Sequence, residues 1–152
     1  MTKGISFSKL DGSKLKIGIV VARWNSEVTF SLLKKCRKAL EDSGVPEKNI
    51  TVLEVPGSYE VVYGAKRLIE KKKADAVVVL GCLIKGETMH FEYICEAVTH
   101  GIMRLNAESG VPVIFGVLTC LNEAQARARA GDDKNNHGYF WGLTAVEMGR
   151  LR

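Results

Sequence analysis

The sequence predicts an α/β fold, a single-domain three-layer α/β/α sandwich built on a mainly parallel sheet. Three observations carry this expectation. Short β-branched apolar runs alternate with longer stretches of helical period, the pattern of βαβ units whose sheet is covered on both faces. The chain has 152 residues and is 46% hydrophobic, the size of one domain and enough to bury roughly 70% of the surface its unfolded form exposes. At Gly81-Cys-Leu-Ile-Lys-Gly-Glu-Thr-Met-His-Phe-Glu-Tyr93, an apolar strand runs into an amphipathic helix through a glycine-bounded turn.

Taken in order, strands are expected at 15–22, 50–55, 74–80 and 113–118. Helices are expected at 29–43, 59–72, 90–109, 123–130 and 142–151. Gly44 and Pro46 stop the first helix, and the run Lys71-Lys72-Lys73 completes the second against its dipole. The third has the clearest face: Phe91, Ile94, Cys95, Val98, Ile102 and Leu105 form a core-facing stripe, with Glu92 and Glu96 on the wet side. Asn122 with Gln125 forms a capping box for the fourth. Residues 1–13 stand apart, with Ile5 and Phe7 alternating with polar neighbours and Leu10 preceding the turn-like Asp11-Gly12. They read as an arm pairing with a neighbouring subunit's sheet edge or, with equal weight, as a frayed terminus.

Composition excludes several classes. Cys36, Cys82, Cys95 and Cys120 are too scattered for a CxxC pair or a zinc cluster, so the thiols read as reduced in a cytoplasmic setting. No apolar run approaches the roughly 20 residues of a membrane span, and the start lacks a secretory block. A net charge of +5 favours anionic partners, but the basic residues form no stripe with interleaved aromatics, so small phosphorylated substrates fit better than nucleic acid. His90, His100 and His137 form no i, i+4 pair, and no metal is assigned.

Ligands of open parallel sheets bind beyond the carboxyl ends of the strands, which directs attention to loops 23–27, 56–60, 81–88 and 119–122. The third loop reads G-x-x-x-x-G-E-T. Glu87 replaces the lysine of a P-loop, which excludes a nucleoside triphosphatase, yet free amides at Gly86, Glu87 and Thr88 still suit a single phosphate. His90 lies in the following helical turn, placed to move protons or, more plainly, to donate to a core carbonyl. Trp24 offers a flat face to a heteroaromatic ring or packs partly buried, and Phe115 reads as ordinary core. Glu60 is explained by a helix dipole, or its two acceptor oxygens hold a polyol's hydroxyls. Arg127 and Arg129 cannot face the same way, so at most one grips a ligand.

Together, Ala22-Arg-Trp-Asn25, Val55-Pro-Gly-Ser-Tyr-Glu60, Leu83-Ile-Lys-Gly-Glu-Thr-Met-His-Phe-Glu92, Pro112-Val-Ile-Phe-Gly-Val-Leu-Thr119 and Arg129-Ala-Gly131 resemble the lumazine synthase family, whose sheet is flavodoxin-like. The resemblance implies a cofactor-independent condensation of 5-amino-6-(D-ribitylamino)uracil with 3,4-dihydroxy-2-butanone 4-phosphate, giving 6,7-dimethyl-8-ribityllumazine. It also implies roles. Trp24 stacks on the pyrimidine, Asn25 is a substrate-binding residue, Ser58, Tyr59 and Glu60 hold the ribityl chain, and Cys82, Leu83 and Ile84 present backbone groups to the ring. Gly86, Glu87 and Thr88 lie in the phosphate turn with Arg129 as its partner, and His90 is the catalytic proton carrier. Phe115 and Arg129 would come from an adjacent subunit.

One loop departs from the family. Asn136-His137-Gly138 stands where many bacterial members have Asn-Lys-Gly, a form similar to the fungal subgroup that also favours tryptophan at position 24, and it implies a phosphate contact from His137. Tyr139 and Phe140 occupy the stretch where an acidic residue usually follows. The short Asp132-Asp-Lys-Asn135 resembles members that assemble as shells of twelve pentamers rather than single pentamers. Riboflavin is a further candidate ligand. Competing readings are a flavin carrier with little turnover, an archaeal-type riboflavin synthase and a flavodoxin-like interaction module.

Overall fold

The computed structural model describes residues 4–152. Its elements run β1 (Ile17–Ala22), α1 (Ser26–Asp42), β2 (Ile50–Val55), α2 (Val61–Lys72), β3 (Ala76–Ile84), α3 (His90–Ser109), β4 (Val113–Cys120), α4 (Glu123–Arg129) and α5 (His137–Leu151). Single 3-10 turns at Glu47–Asn49 and Ser58–Glu60 precede β2 and α2. The four strands are all parallel in the order β2-β1-β3-β4, so the chain reverses direction between β1 and β3. A crevice opens at that point, beyond the strand ends.

Strand period sorts the apolar side chains onto two faces. Ile17, Ile19 and Val21 of β1, Val78 and Leu80 of β3 and Ile114 and Leu118 of β4 pack with Leu32, Cys36 and Leu40 of α1 and Ala145 and Val146 of α5. Their neighbours Val20, Ala22, Val77, Val79, Val113 and Val117 pack on the opposite face with Val61, Ala65 and Leu68 of α2 and Val98 and Ile102 of α3. Both faces are therefore apolar, as a sheet covered twice requires. Helices α1 and α5 approach closely through glycines. A Cβ on Gly138 would lie 2.1 Å from the Leu32 carbonyl oxygen, and one on Gly142 2.7 Å from that of Cys36.

Several boundaries differ from expectation for identifiable reasons. Helix α1 starts at Ser26 instead of 29, because Asn25 adopts the left-handed region at φ 60° and its carbonyl accepts from Val28 and Thr29. Strand β1 loses residues 15 and 16 to a turn in which the Leu15 amide donates to Gly12. Strand β3 runs through Gly81 to Ile84, where a turn was expected, since β4 continues to pair with it as far as Ile84↔Cys120. Helix α5 begins five residues earlier than 142, capped by Asn136, whose Oδ1 accepts from the Gly138 amide at 2.8 Å. His137 is thus helical rather than in a loop.

On α3 only Val98 and Ile102 of the expected stripe are buried, and Phe91, Ile94, Cys95 and Leu105 remain half-buried. Glu92 is not simply solvated: Oε1 pairs with Lys85, and Oε2 is buried with no hydrogen-bond partner among the described residues. Phe115 is not core but 37% exposed on the edge strand. The capping box at α4 is shifted, with Asn122 accepting from the Gln125 amide while Gln125 accepts from Leu121. Residues 4–13 form no strand within the chain, and residues 1–3 of the expected arm lie outside the described residues. Among the described residues, no helix is long and apolar enough to cross a membrane, and no group of three or more His, Cys, Asp or Glu could hold a metal.

Candidate active site

The crevice is assembled by hydrogen bonds that continue the sheet past its strands. Amides of Arg23 and Trp24 donate to the Val55 and Pro56 carbonyls, both at 2.9 Å, laying the loop after β1 along the loop after β2. Trp24 is left 74% exposed, so its indole is free rather than packed. On the other side, Asn25 Nδ2 donates to the Cys82 carbonyl at 2.9 Å and ties the same loop to β3.

The β2 loop closes over β3 because residue 81 has no side chain. A Cβ on Gly81 would lie 2.4 Å from Ser58 Oγ. Ser58 is buried there, and its hydroxyl has no partner among the described residues, a donor and acceptor left unused beside the crevice. Glu60 folds back so that Oε2 accepts from the Gly57 amide at 2.9 Å, leaving Oε1 for another donor. Tyr59 stands exposed beside it.

Strand β3 outruns β1. Their pairing ends at Val21↔Leu80, four residues before β3 does. In a parallel ladder the N–H and C=O of one residue point to the same neighbour, and the amides of Val77 and Lys85 donate to β4-side carbonyls, so odd positions face β4. Backbone groups of Cys82 and Ile84 therefore face the crevice, whereas those of Leu83 join the ladder to β4. The Cys82 side chain packs into the α1–α5 core, where burial pushes its thiol up to about 12, helped by nearby Cys120. It is not a nucleophile.

Past Ile84 the chain turns through Lys85, Gly86, Glu87, Thr88 and Met89, all exposed. Among the described residues the amides at 86–89 donate to no carbonyl or side chain, and Glu87 is exposed. Thr88 Oγ1 accepts from the His90 amide at 3.3 Å, and the exposed His90 opens α3. Trp24 and this turn consequently lie at the same end of the sheet. Such a row of free amides at the start of a 20-residue helix attracts an anion.

Arg129 and His137 are neighbours, whereas Phe115 shares the α2–α3 face of β4 with Val113 and Val117. Phe115 lies five residues before Cys120, the last residue of β4, about 16 Å short of the strand's end, and cannot reach its own chain's crevice. Arg129 Nη1 donates to Gln125 O at 2.9 Å, while Arg127 pairs with Glu123 at 3.3 Å, so of these two arginines Arg129 is the one without an ion-pair partner among the described residues. His137 packs edge-on against Trp141 with ring centroids 5.6 Å apart. Burial holds its imidazolium below the usual range, and the Arg129 charge lowers it further.

Two contributors were not singled out from sequence. Asn136 is fully buried and donates from Nδ2 to the Gly131 carbonyl at 2.9 Å and to Ser31 Oγ at 3.3 Å, fixing the loop that carries Arg129 and His137 against α1. Its signal was an asparagine immediately before a glycine-containing helix. The Lys85–Glu92 pair was missed because its partners, seven apart, bracket a turn rather than share a helix face. A neighbouring cleft of about 310 Å³, lined by Asn25, Glu27, Ile84, Glu123 and Arg127, shares Asn25 and Ile84 with the crevice and carries two carboxylates unsuited to phosphate.

The pattern of the 6,7-dimethyl-8-ribityllumazine synthase family matches residues 14–152. Relatives called 6,7-dimethyl-8-ribityllumazine synthase include one from Schizosaccharomyces pombe, 50% identical over 97% of this chain and 94% of the relative. Another, from Parabacteroides distasonis, is 48% identical over 91% of this chain and 86% of its own length. A third, from Pyricularia oryzae, is 42% identical over 99% and 94% respectively. The chain belongs to the 6,7-dimethyl-8-ribityllumazine synthase family.

Proposed function

We propose that this protein condenses 5-amino-6-(D-ribitylamino)uracil with 3,4-dihydroxy-2-butanone 4-phosphate, releasing phosphate and water as 6,7-dimethyl-8-ribityllumazine forms. The observation that carries the reading is the pairing of a free indole, Trp24, with the open amides of residues 86–89 at one end of the sheet. In this reading the pyrimidine stacks on Trp24 and bonds to the crevice-facing backbone of Cys82 and Ile84. Ser58 and Glu60 Oε1 take ribityl hydroxyls, with Tyr59 alongside. Asn25 holds the shelf together, and the amides at Gly86, Glu87 and Thr88 take the phosphate.

The 5-amino group attacks the ketone, and loss of water leaves an imine. Loss of phosphate follows, then ring closure by the ribityl-bearing nitrogen with a second dehydration. His90, one turn from the phosphate, moves protons between these steps, and no cofactor enters. Most of the acceleration comes from holding two polar reactants in one orientation.

The crevice is an open shelf on one chain, and a stacked ring would keep one face in water. Phe115 cannot serve its own crevice, and in this reading Phe115, Arg129 and His137 each complete a neighbour's site: Phe115 covers the ring, and Arg129 with His137 reaches the phosphate. Exposed Tyr63, Tyr93, Met103 and Leu121 supply apolar surface for such contacts. The assembly is a pentamer, and the short 132–135 segment favours a shell of twelve pentamers, with residues 1–13 pairing along a neighbour's free β2 edge. The enzyme works in the cytoplasm. Riboflavin, another planar heterocycle with a ribityl chain, is a second ligand for the same shelf.

Mixing protein with both substrates and following lumazine absorbance and phosphate release tests the reaction. Turnover supports it; tight riboflavin binding without turnover supports a carrier instead. A light-scattering mass of no more than five subunits removes the shell.

A further inference from the structure

We propose that Lys85 is a positioning residue for the phosphorylated substrate, acting by neutralising Glu92 beside the free amides of the 86–89 turn. The inference rests on the reading above. Lys85 is anchored where β3 ends, its amide donating to the Cys120 carbonyl at 2.9 Å. Glu92 is the third residue of α3, so the two bracket the turn, and their side chains meet as an ion pair. On its other side the Lys85 ammonium lies 5.7 Å from the centroid of the Phe91 ring.

A carboxylate at the third position of a helix is drawn back toward the helix N-terminus, the same positive end that a phosphate would occupy. Glu92 is therefore a resident competitor for that field. One of its oxygens is already out of water with no hydrogen-bond partner among the described residues, and Lys85 holds the other. The hydrogen bond from Lys85, foremost, keeps the carboxyl below the usual range, so it is charged at neutral pH. With Lys85 present the pair is neutral as seen from the turn. Without it, an uncompensated negative charge faces an incoming dianion.

The test uses full-length protein and two readouts: inorganic phosphate affinity by titration calorimetry, and KM for each substrate. Lys85→Met, or Lys85→Gln if that variant melts early, should weaken phosphate binding and raise KM for the phosphorylated ketone about tenfold, the scale of one like charge at short range through partly wet protein. KM for the uracil should stay unchanged, and Lys85→Arg should behave as wild type. Glu92→Gln should bind phosphate at least as well as wild type. The decisive variant is the double Lys85→Met/Glu92→Gln, expected to recover wild-type phosphate affinity.

An unaffected Lys85→Met overturns the proposal. So does a double variant as weak as Lys85→Met, which would mean the ammonium touches phosphate directly. Loss of phosphate binding in Glu92→Gln equal to that in Lys85→Met would make the pair a structural clasp and also overturn it. Wild-type protein that binds phosphate but makes no lumazine rejects the proposed reaction and leaves the role of the pair to be read from the titration.

Discussion

Replacing Trp24 by alanine separates binding from folding more cleanly than any other change at the crevice. The residue is 74% exposed and belongs to neither apolar core. Its removal deprives the fold of little, and surface substitutions of this kind stay within about 0.5 kcal/mol. Stacking of a base-like ring on an aromatic side chain is worth about 1–3 kcal/mol by alanine substitution, or roughly five- to 150-fold in affinity. KM for ribitylaminouracil should accordingly rise at least about fivefold, with KM for the phosphorylated ketone and the melting temperature nearly unchanged. Phenylalanine should restore most of the loss. The assay is initial-rate lumazine absorbance with each substrate varied in turn, beside a thermal melt. A melting temperature many degrees lower, with an unchanged uracil KM, would refute the reasoning and return Trp24 to packing.

Arg129→Ala should raise KM for the phosphorylated ketone by about tenfold while sparing the uracil, because it removes a charge-assisted contact to phosphate; saturation by the ketone at wild-type concentrations would contradict this. Asn136→Ala should destabilise the protein by about 2–3 kcal/mol in urea unfolding, losing a helix cap and orphaning buried groups, whereas Asn122→Ala at the exposed α4 cap should lose about 1 kcal/mol. Equal losses would mean the buried network adds nothing. His137 has a lowered folded-state pKa, so between its unfolded value near 6.5 and its folded value the unfolded chain binds more protons. Its contribution to stability is full above that window and is lost as pH falls through it. Melting temperature should therefore drop between pH 7.5 and 5.5 more steeply in wild type than in His137→Gln; identical slopes would refute the assignment.

The sheet was legible because strand runs covered on both faces carry unbroken apolar residues, as at Val77, Val78 and Val79, and need no tertiary information to be recognised. Ends were less legible where long-range pairing overrode local signals. Gly81 has the local look of a turn, yet β4 extends the ladder past it, and the glycine serves instead to admit Ser58. Helix α5 could be dated from His137 only by noticing the cap at Asn136, since its first turns contain two glycines that lower helix propensity but let α1 approach. Phe115 misled because residues around it on β4 are buried, and an edge strand uncovers single positions that no pattern along the chain distinguishes. The crevice residues were found through their loops; Lys85 and Glu92 became visible as a pair only once the turn brought them together.

The most direct test of the account is the formation of lumazine from both substrates by the purified protein without added metal or cofactor. Absorbance of 6,7-dimethyl-8-ribityllumazine should grow in step with one phosphate released per product and should require both substrates. No lumazine from protein that nevertheless binds riboflavin or the ribitylaminouracil tightly would contradict it.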